Sequence, residues 1–172
     1  ALVRDSKLWA DYLTESIHLY GARTDVMFVS HGWPRWGQEN VVAFMASHRD
    51  AYKYLHDQSV RLMNKGYTAE EIAEVIALPA SLASKWYNRG YYGTMAHNSK
   101  AVYQRYLGWF DANPANLNPW PPEEAAVRYV KAMGGKARAL RTAETAFSEG
   151  DYRWAAEVAS HLVFADDTNT AA

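Results

Sequence analysis

Residues 89–111 hold most of the side chains in this chain that could do chemistry. They include four tyrosines, a histidine, an asparagine, a lysine and two arginines, with no acidic residue before Asp111. Asn98 or Ser99 is predicted to cap a helix that begins just after it, because either side chain accepts hydrogen bonds from first-turn N–H groups. Amide, imidazole, phenol and guanidinium donors around such a helix start favour binding of an anion.

The predicted helix also has a structural interpretation. Ser99, Tyr103 and Tyr106 share one face at spacings of four and three, and Arg105 projects to a neighbouring face. The alternative to anion recognition is therefore a helix that packs its tyrosine rings in a core with their polar ends outward. Composition alone favours that alternative over the anion site.

Length and charge limit the class of protein. With 172 residues and a net charge of −1, the chain has the apolar content for one domain, or one and a fraction. This charge balance does not indicate nucleic acid as a partner. The absence of cysteine excludes disulfides, thiolate zinc sites and cysteine nucleophiles. We expect no signal peptide and no integral membrane segment, since no apolar run approaches roughly 20 residues.

The first part of the chain predicts a helix followed by one strand. The helix covers residues 4–20 and is closed by Gly21 in a left-handed conformation. Val26–Val29 is the only convincing strand, and it leads directly to His31. A strand with this ending resembles the edge of an α/β sandwich, where ligands collect. On the residues alone, His31 is more often structural than a zinc ligand, because zinc needs three or more partners.

The remainder predicts a helical bundle. A long helix over residues 38–65 has a heptad-like seam, which is either an internal bundle seam or a dimer interface. Thr68 and Glu71 form a capping box, and further helices cover residues 69–78 and 80–88. After a loop at residues 111–122, three helices at 122–133, 136–149 and 151–164 end in a hairpin that resembles a tetratricopeptide repeat. The seam residues are Val41, Met45, His48, Tyr52, Leu55, Ser59 and Leu62.

Three long strings resemble one enzyme family. They are SHGWPRWG at residues 30–37, DAYKYLHDQSVRLMNKGYT at 50–68 and YNRGYYGTMAHNSKAVYQRYLGWFDANPANLNP at 87–119. They are similar to the alkyl sulfatases, which are zinc-dependent, SDS-hydrolysing enzymes of the metallo-β-lactamase superfamily. The last predicted helix is similar to the dimerisation domain of that family, and its segment reads GDYRWAAEVASHLVFAD.

The resemblance implies a mainly α fold, in which a helical dimerisation domain follows a helix–strand remnant of an αββα metallo-β-lactamase domain. The catalytic-domain edge would cover residues 1–37, and the dimerisation domain, shortened at its C-terminus, residues 38–172. His31 would be one ligand of a two-zinc site whose other ligands are missing from this chain. We therefore expect the chain alone to be inactive.

The resemblance also gives the tyrosine-rich segment a role beside the active site. On chemical grounds, we expect His97 and Tyr103 to be catalytic, and Asn98 and Arg105 to bind the sulfate group of an alkyl sulfate. The chain would pair as a homodimer. A periplasmic or secreted location fits the family, and a cytoplasmic one stays open. The alternative function is a non-catalytic helical module for dimerisation or protein interaction.

Overall fold

A computed structural model describes residues 5–168 and confirms a mainly α chain. Its elements form two compact units, of which the first ends at Asp111 and the second begins at Ala112. The predicted boundary at residue 37 lies inside the first unit and stays a prediction about domain origin. The elements are α1 Ser6–Tyr20, β1 Val26–Val29, β2 Gly32–Trp36, α2 Gln38–Met63, α3 Ala69–Val75, α4 Ala80–Ala83, α5 Met95–Leu107, α6 Pro122–Ala132, α7 Lys136–Ser148 and α8 Tyr152–Ala165.

Helix α1 packs along α2, and a glycine lets the two approach closely. Gly21 follows α1 with φ −54°, so the predicted left-handed conformation is wrong. It opens a short 3-10 turn instead, where a Cβ would lie 3.2 Å from Cγ2 of Val42 on α2. The Gln38 side chain donates to the Gly21 carbonyl at 3.0 Å. Glycine is thus needed at position 21 because the helices pack closely there, and not because the chain takes a left-handed conformation.

The strand predicted at Val26–Val29 pairs with a second strand that the sequence did not predict. β1 and β2 are antiparallel, with Val26 opposite Trp36 and Val29 opposite Gly32. Pro34 lies inside β2, and proline within a run argues against a strand. A two-stranded sheet tolerates it because both strands are edges.

The core of the first unit lies between α2, α3 and α5. Val41, Leu55, Ser59 and Leu62 of the predicted seam are buried, so the seam packs inside the unit. The capping box between Thr68 and Glu71 is confirmed at the start of α3. The core residues are Leu55, Leu62, Ile72, Ile76, Val102 and Tyr103.

The second unit is built from α6, α7 and α8 around small side chains. Its core consists of Val130, Ala139, Ala143, Val158 and Leu162. Alanines on α7 let α8 lie close to it, as the predicted hairpin requires. Across residues 5–168, no helix is both long enough and apolar enough to cross a membrane.

Candidate functional site

The first unit contains a cavity of about 1010 Å³ between α1, α2, the loop before α5 and α5 itself. Trp9, Tyr52 and Leu55 contribute apolar wall, whereas His97 and Asn98 contribute polar wall. Pockets for small ligands have this composition, with mostly apolar walls and a few polar groups.

The start of α5 lies further upstream than the sequence predicted. Thr94 is the N-cap, and its hydroxyl oxygen accepts a hydrogen bond from the His97 N–H at 3.2 Å. Asn98 and Ser99 are therefore inside the helix, and the prediction that one of them caps it is wrong. Ser99 is fully buried and donates to the Ala96 carbonyl at 2.9 Å. The physical reason is that Thr94 meets the N–H groups of the first turn one turn earlier.

A tight loop with two glycines leads into α5 and contacts Asn98. A Cβ added to Gly93 would lie 2.8 Å from Oδ1 of Asn98, and one added to Gly90 would lie 2.9 Å from the Gly93 carbonyl oxygen. Real Cβ atoms essentially never come that close, so position 90 requires glycine because its neighbour is backbone, whereas a side chain at position 93 would displace the Asn98 amide. Between them Tyr91 and Tyr92 expose their rings at the cavity rim. The loop therefore brings the Gly93 backbone against the Asn98 amide and leaves two phenols exposed.

The four predicted pocket residues on α5 divide into two pairs. His97 and Asn98 are exposed and line the cavity. Tyr103 does not line it and is only 8% exposed, within the hydrophobic core. Arg105 lies on the same helix outside the cavity wall, and its guanidinium binds the Asp5 carboxylate at 2.8 Å. The structure therefore brings together His97 and Asn98 and separates them from Tyr103 and Arg105.

Asp5 connects the start of α1 to α5. Its carboxylate accepts a hydrogen bond from the Leu8 N–H at 3.0 Å as the N-cap of α1. This bond, and then the nearby Arg105 charge, lower the pKa of Asp5 although partial burial opposes the shift. The next residue, Ser6, lines the cavity, and its hydroxyl is buried with no hydrogen-bond partner in the described part of the chain.

A histidine makes a further connection to α5, this time from α2. His56 Nε2 lies 2.8 Å from the Tyr106 hydroxyl, and its Nδ1 lies 2.8 Å from Oδ1 of Asp57. Partial burial would raise the pKa of Asp57, but hydrogen bonds from Lys53 and His56 lower it below its usual value. These contacts fix Tyr106 against α2 and away from the predicted pocket.

His48 is a cavity residue that the sequence analysis assigned only to a helix seam. Its Nδ1 lies 3.0 Å from Oδ1 of Asn88, whose amide donates to Ser47 Oγ at 2.9 Å. Burial lowers the pKa of His48, and the Arg35 charge lowers it further, against the opposing hydrogen bond to Asn88. A histidine within an otherwise apolar seam is the signal that could have identified it.

Arg35 of β2 is held mainly by aromatic rings. Its guanidinium carbon lies 4.7 Å from the centre of the Phe44 ring, 5.0 Å from Trp86 and 5.3 Å from Tyr87. These cation–π contacts fix the hairpin on α2 and on the segment that leads to the cavity. Nothing local in the sequence marks these partners.

His31 lies in the two-residue turn between β1 and β2, exposed and outside the cavity wall. It is therefore not the last residue of a strand at a sheet edge, as the sequence predicted. No three histidine or carboxylate side chains that could hold a metal come together among residues 5–168. These residues do not by themselves make a zinc site.

The sequence profile described as alkyl sulfatase dimerisation matches residues 68–172. Over 98% of its length, the chain is 52% identical to an (R)-specific secondary-alkylsulfatase of a Pseudomonas species. An alkyl/aryl-sulfatase of Saccharomyces cerevisiae is 49% identical over 97% of the chain. The chain spans 26% of the length of each of these two relatives.

A solved structure gives the same result. The stereoselective inverting sec-alkylsulfatase Pisa1 of a Pseudomonas species superposes with a TM-score of 0.95 at 50% identity. That alignment covers 99% of this chain and 27% of the Pisa1 chain. The predicted resemblance is confirmed at the level of family, because the profile match covers more than half of the chain. This chain belongs to the alkyl sulfatase dimerisation family.

Proposed function

We propose that this chain is a pairing module that associates with a second copy of itself to form a homodimer. The observation that carries this proposal is the distribution of side chains in the second unit. Its core is made mainly of alanine and valine, whereas its largest apolar side chains are exposed. Exposed apolar patches of this kind mark protein interfaces. The exposed residues on α6, α7 and α8 are Val127, Tyr129, Phe147, Tyr152, Trp154, Val163 and Phe164.

Two of these exposed rings pack against each other at the turn between α7 and α8. Phe147 and Tyr152 pack edge to face with ring centres 5.3 Å apart, and both are more than 60% exposed. Rigid aromatic side chains are enriched among the residues that dominate binding energies, since little conformational entropy is lost when they are buried. Phe147 is therefore the first position to test.

Sedimentation velocity of the 172-residue chain tests the pairing. We expect a dimer at micromolar concentration, a shift to monomer in Phe147→Glu, and a retained dimer in the matched control Phe147→Leu. Circular dichroism should show the same helix content in all three proteins. A wild-type chain that stays monomeric at high concentration contradicts the proposal.

We also propose that the protein containing this chain hydrolyses alkyl sulfate esters, as the names of its relatives state for them. The cavity favours this second function because it combines apolar walls with His97, Asn98 and Arg89. An amide N–H can donate a hydrogen bond to an anionic sulfate, and a histidine can move a proton at its leaving oxygen. We assign His97 a catalytic role and Asn98 a sulfate-binding role.

The other three predicted residues are proposals with less structural support. His31, exposed in its turn, would supply one zinc ligand, and further ligands would come from outside residues 5–168. Arg105 forms an ion pair with Asp5, but a guanidinium can donate hydrogen bonds to two acceptors at once. Tyr103 would need its buried hydroxyl to reach the substrate from within the core.

A chimera tests these roles. Replacing the aligned segment of the Pseudomonas secondary-alkylsulfatase with this chain should preserve hydrolysis of an alkyl sulfate. In the chimera, His97→Gln should lower kcat by about 100-fold or more, whereas the control Lys100→Ala on the same helix should not. Tyr103→Phe and Arg105→Gln test the remaining assignments. An unchanged kcat in His97→Gln removes its catalytic role, and unchanged zinc content in His31→Ala removes that ligand.

A further inference from the structure

We propose that the cavity of the first unit holds the hydrocarbon chain of an alkyl sulfate, and that Ala101 limits the chain length accepted. This inference rests on the proposed ester hydrolysis, and it adds the location of the chain and the residue that selects it. The arrangement of α5 and of the wall opposite it supports the assignment.

The face of α5 that lines the cavity changes from polar to apolar within one turn. His97 and Asn98 lie in the first turn, and Ala101 and Val102 follow three to five residues later. Residues at these spacings share a face, and a rise of about 1.5 Å per residue separates Asn98 from Val102 by roughly 6 Å. A ligand with a charged head and an apolar tail fits this order better than a uniformly polar one.

The charges at the cavity agree with a negative head at the polar end. Arg89 lines the cavity, as do the imidazole of His97 and the amide of Asn98. The carboxylate in the wall, Asp5, is held by Arg105 and the Leu8 N–H, so its charge is compensated.

The opposite wall offers aromatic surface that nothing in the described chain covers completely. Trp9 of α1 and Tyr52 of α2 contact each other with ring centres 5.9 Å apart. Trp9 is nevertheless 50% exposed and Tyr52 37% exposed. A hydrocarbon chain in the cavity would bury more of these rings and of Leu55, which the hydrophobic effect favours.

Ala101 is the position where size would matter most. It lies on α5 between the polar turn and the buried core, it lines the cavity, and its side chain is a single methyl group. A larger side chain there would occupy the volume immediately beyond the polar end. Short chains would still fit, and long chains would not.

Isothermal titration calorimetry of the 172-residue chain with sodium hexyl, octyl and decyl sulfate, each below its micelle concentration, tests the inference. We expect one site per chain and a Kd that falls about fourfold per added methylene. Ala101→Phe should weaken decyl sulfate binding at least tenfold and hexyl sulfate binding less. The control Gln104→Phe, on the exposed side of the same helix, should leave both unchanged.

A second variant covers the case in which Ala101→Phe does not fold, as judged by circular dichroism. Trp9→Ala removes half-exposed wall and should weaken octyl and decyl sulfate binding several-fold. Equal affinity for all three chain lengths overturns the inference, as does binding of many molecules per chain that Trp9→Ala leaves unchanged.

Two further probes separate this inference from the proposed hydrolysis. If inorganic sulfate binds and the affinity for alkyl sulfates does not depend on their length, the proposed location of the hydrocarbon chain is overturned and the sulfate site stands. Binding of 1-octanol as tight as that of octyl sulfate would support the apolar cavity and count against a sulfate site at His97 and Asn98.

Discussion

The two units of this chain build their cores from side chains of different size, although both expose large apolar side chains. The first unit buries Leu55, Ile72 and Tyr103 and keeps a cavity that Leu55 borders. The second unit packs Ala139 and Ala143 inside and leaves its aromatic rings outside. The comparison teaches that similar helices can pack around bulky side chains and leave space beside them, or pack around small ones and lie close together. Space inside a unit favours a ligand, whereas a closely packed core leaves only the outer surface for a partner.

The units also differ in how distant parts are joined. In the first unit, the ion pair of Asp5 with Arg105 and the hydrogen bond of His56 to Tyr106 join helices far apart in sequence. In the second, Lys136 at the start of α7 binds Asp166 just after α8, at its exposed surface. The first unit therefore has polar contacts that link α1, α2 and α5, and the second has an exposed ion pair that links the start of α7 to the end of α8.

The largest effect should come from truncating the close-packed core. Leu162→Ala removes a fully buried side chain of the second unit and should cost about 2–5 kcal/mol of unfolding free energy. Leu55→Ala should cost less, because Leu55 borders an existing cavity and its loss only enlarges that space. Urea unfolding of both variants gives the comparison. Equal losses of unfolding free energy in the two variants would show that the cavity does not lower the cost of truncating Leu55.

Enlarging a side chain should also destabilise the second unit more than the first. Ala139 is fully buried where α7 packs in the core, so Ala139→Leu should cost about 1–3 kcal/mol through overpacking. Ala51 lines the cavity of the first unit, and Ala51→Leu should be tolerated because the added atoms enter open space. Thermal unfolding followed by circular dichroism measures both. A larger loss in Ala51→Leu would contradict the difference between the units.

Helix ends should not differ between the units. Thr68 caps α3 in the first unit, and Asp151 caps α8 in the second by accepting a hydrogen bond from the Trp154 N–H at 3.2 Å. Each change to alanine should cost about 1 kcal/mol, as measured by urea denaturation. The corresponding serine variants keep an acceptor oxygen and serve as controls. A loss confined to one unit would show that caps depend on the packing around them.

Sequence analysis identified what depends on neighbours along the chain. The box of Thr68 and Glu71, the bounds of α2 and the α7–α8 hairpin all follow from local spacing. It failed at the start of α5, where Asn98 satisfies the same capping preference as Thr94, the residue that actually caps the helix. Local preference alone does not decide between two good caps a turn apart.

The candidate site was predicted only in part for a similar reason. Ser99 and Tyr103 pack in the core, as the alternative favoured by composition predicted, whereas Tyr106 on the same face is half exposed. The cavity wall comes from α1, α2 and α5, and which residues meet there depends on long-range packing. Family resemblance singled out the tyrosine-rich segment, chemical grounds supplied His97 and Asn98 as candidates within it, and both line the cavity.

Acid should affect the two units in different pH windows. Burial keeps the pKa of His48 below 6.5, so the unfolded chain binds its proton more readily than the folded one. This contribution to stability is complete above about pH 6.5 and falls as the pH drops below it. The Lys136 ammonium lowers the pKa of Asp166 to about 2 from 3.8, so its contribution is lost only between those values.

Free energies of unfolding measured from pH 7.5 to pH 2 test this difference. His48→Gln should remove part of the loss of unfolding free energy just below pH 6.5 and leave the loss at lower pH unchanged. Asp166→Asn should do the reverse, and its effect should shrink in high salt because the pair is exposed. If His48→Gln instead alters the unfolding free energy only below pH 4, then the histidine at the cavity does not cause the acid sensitivity of the first unit.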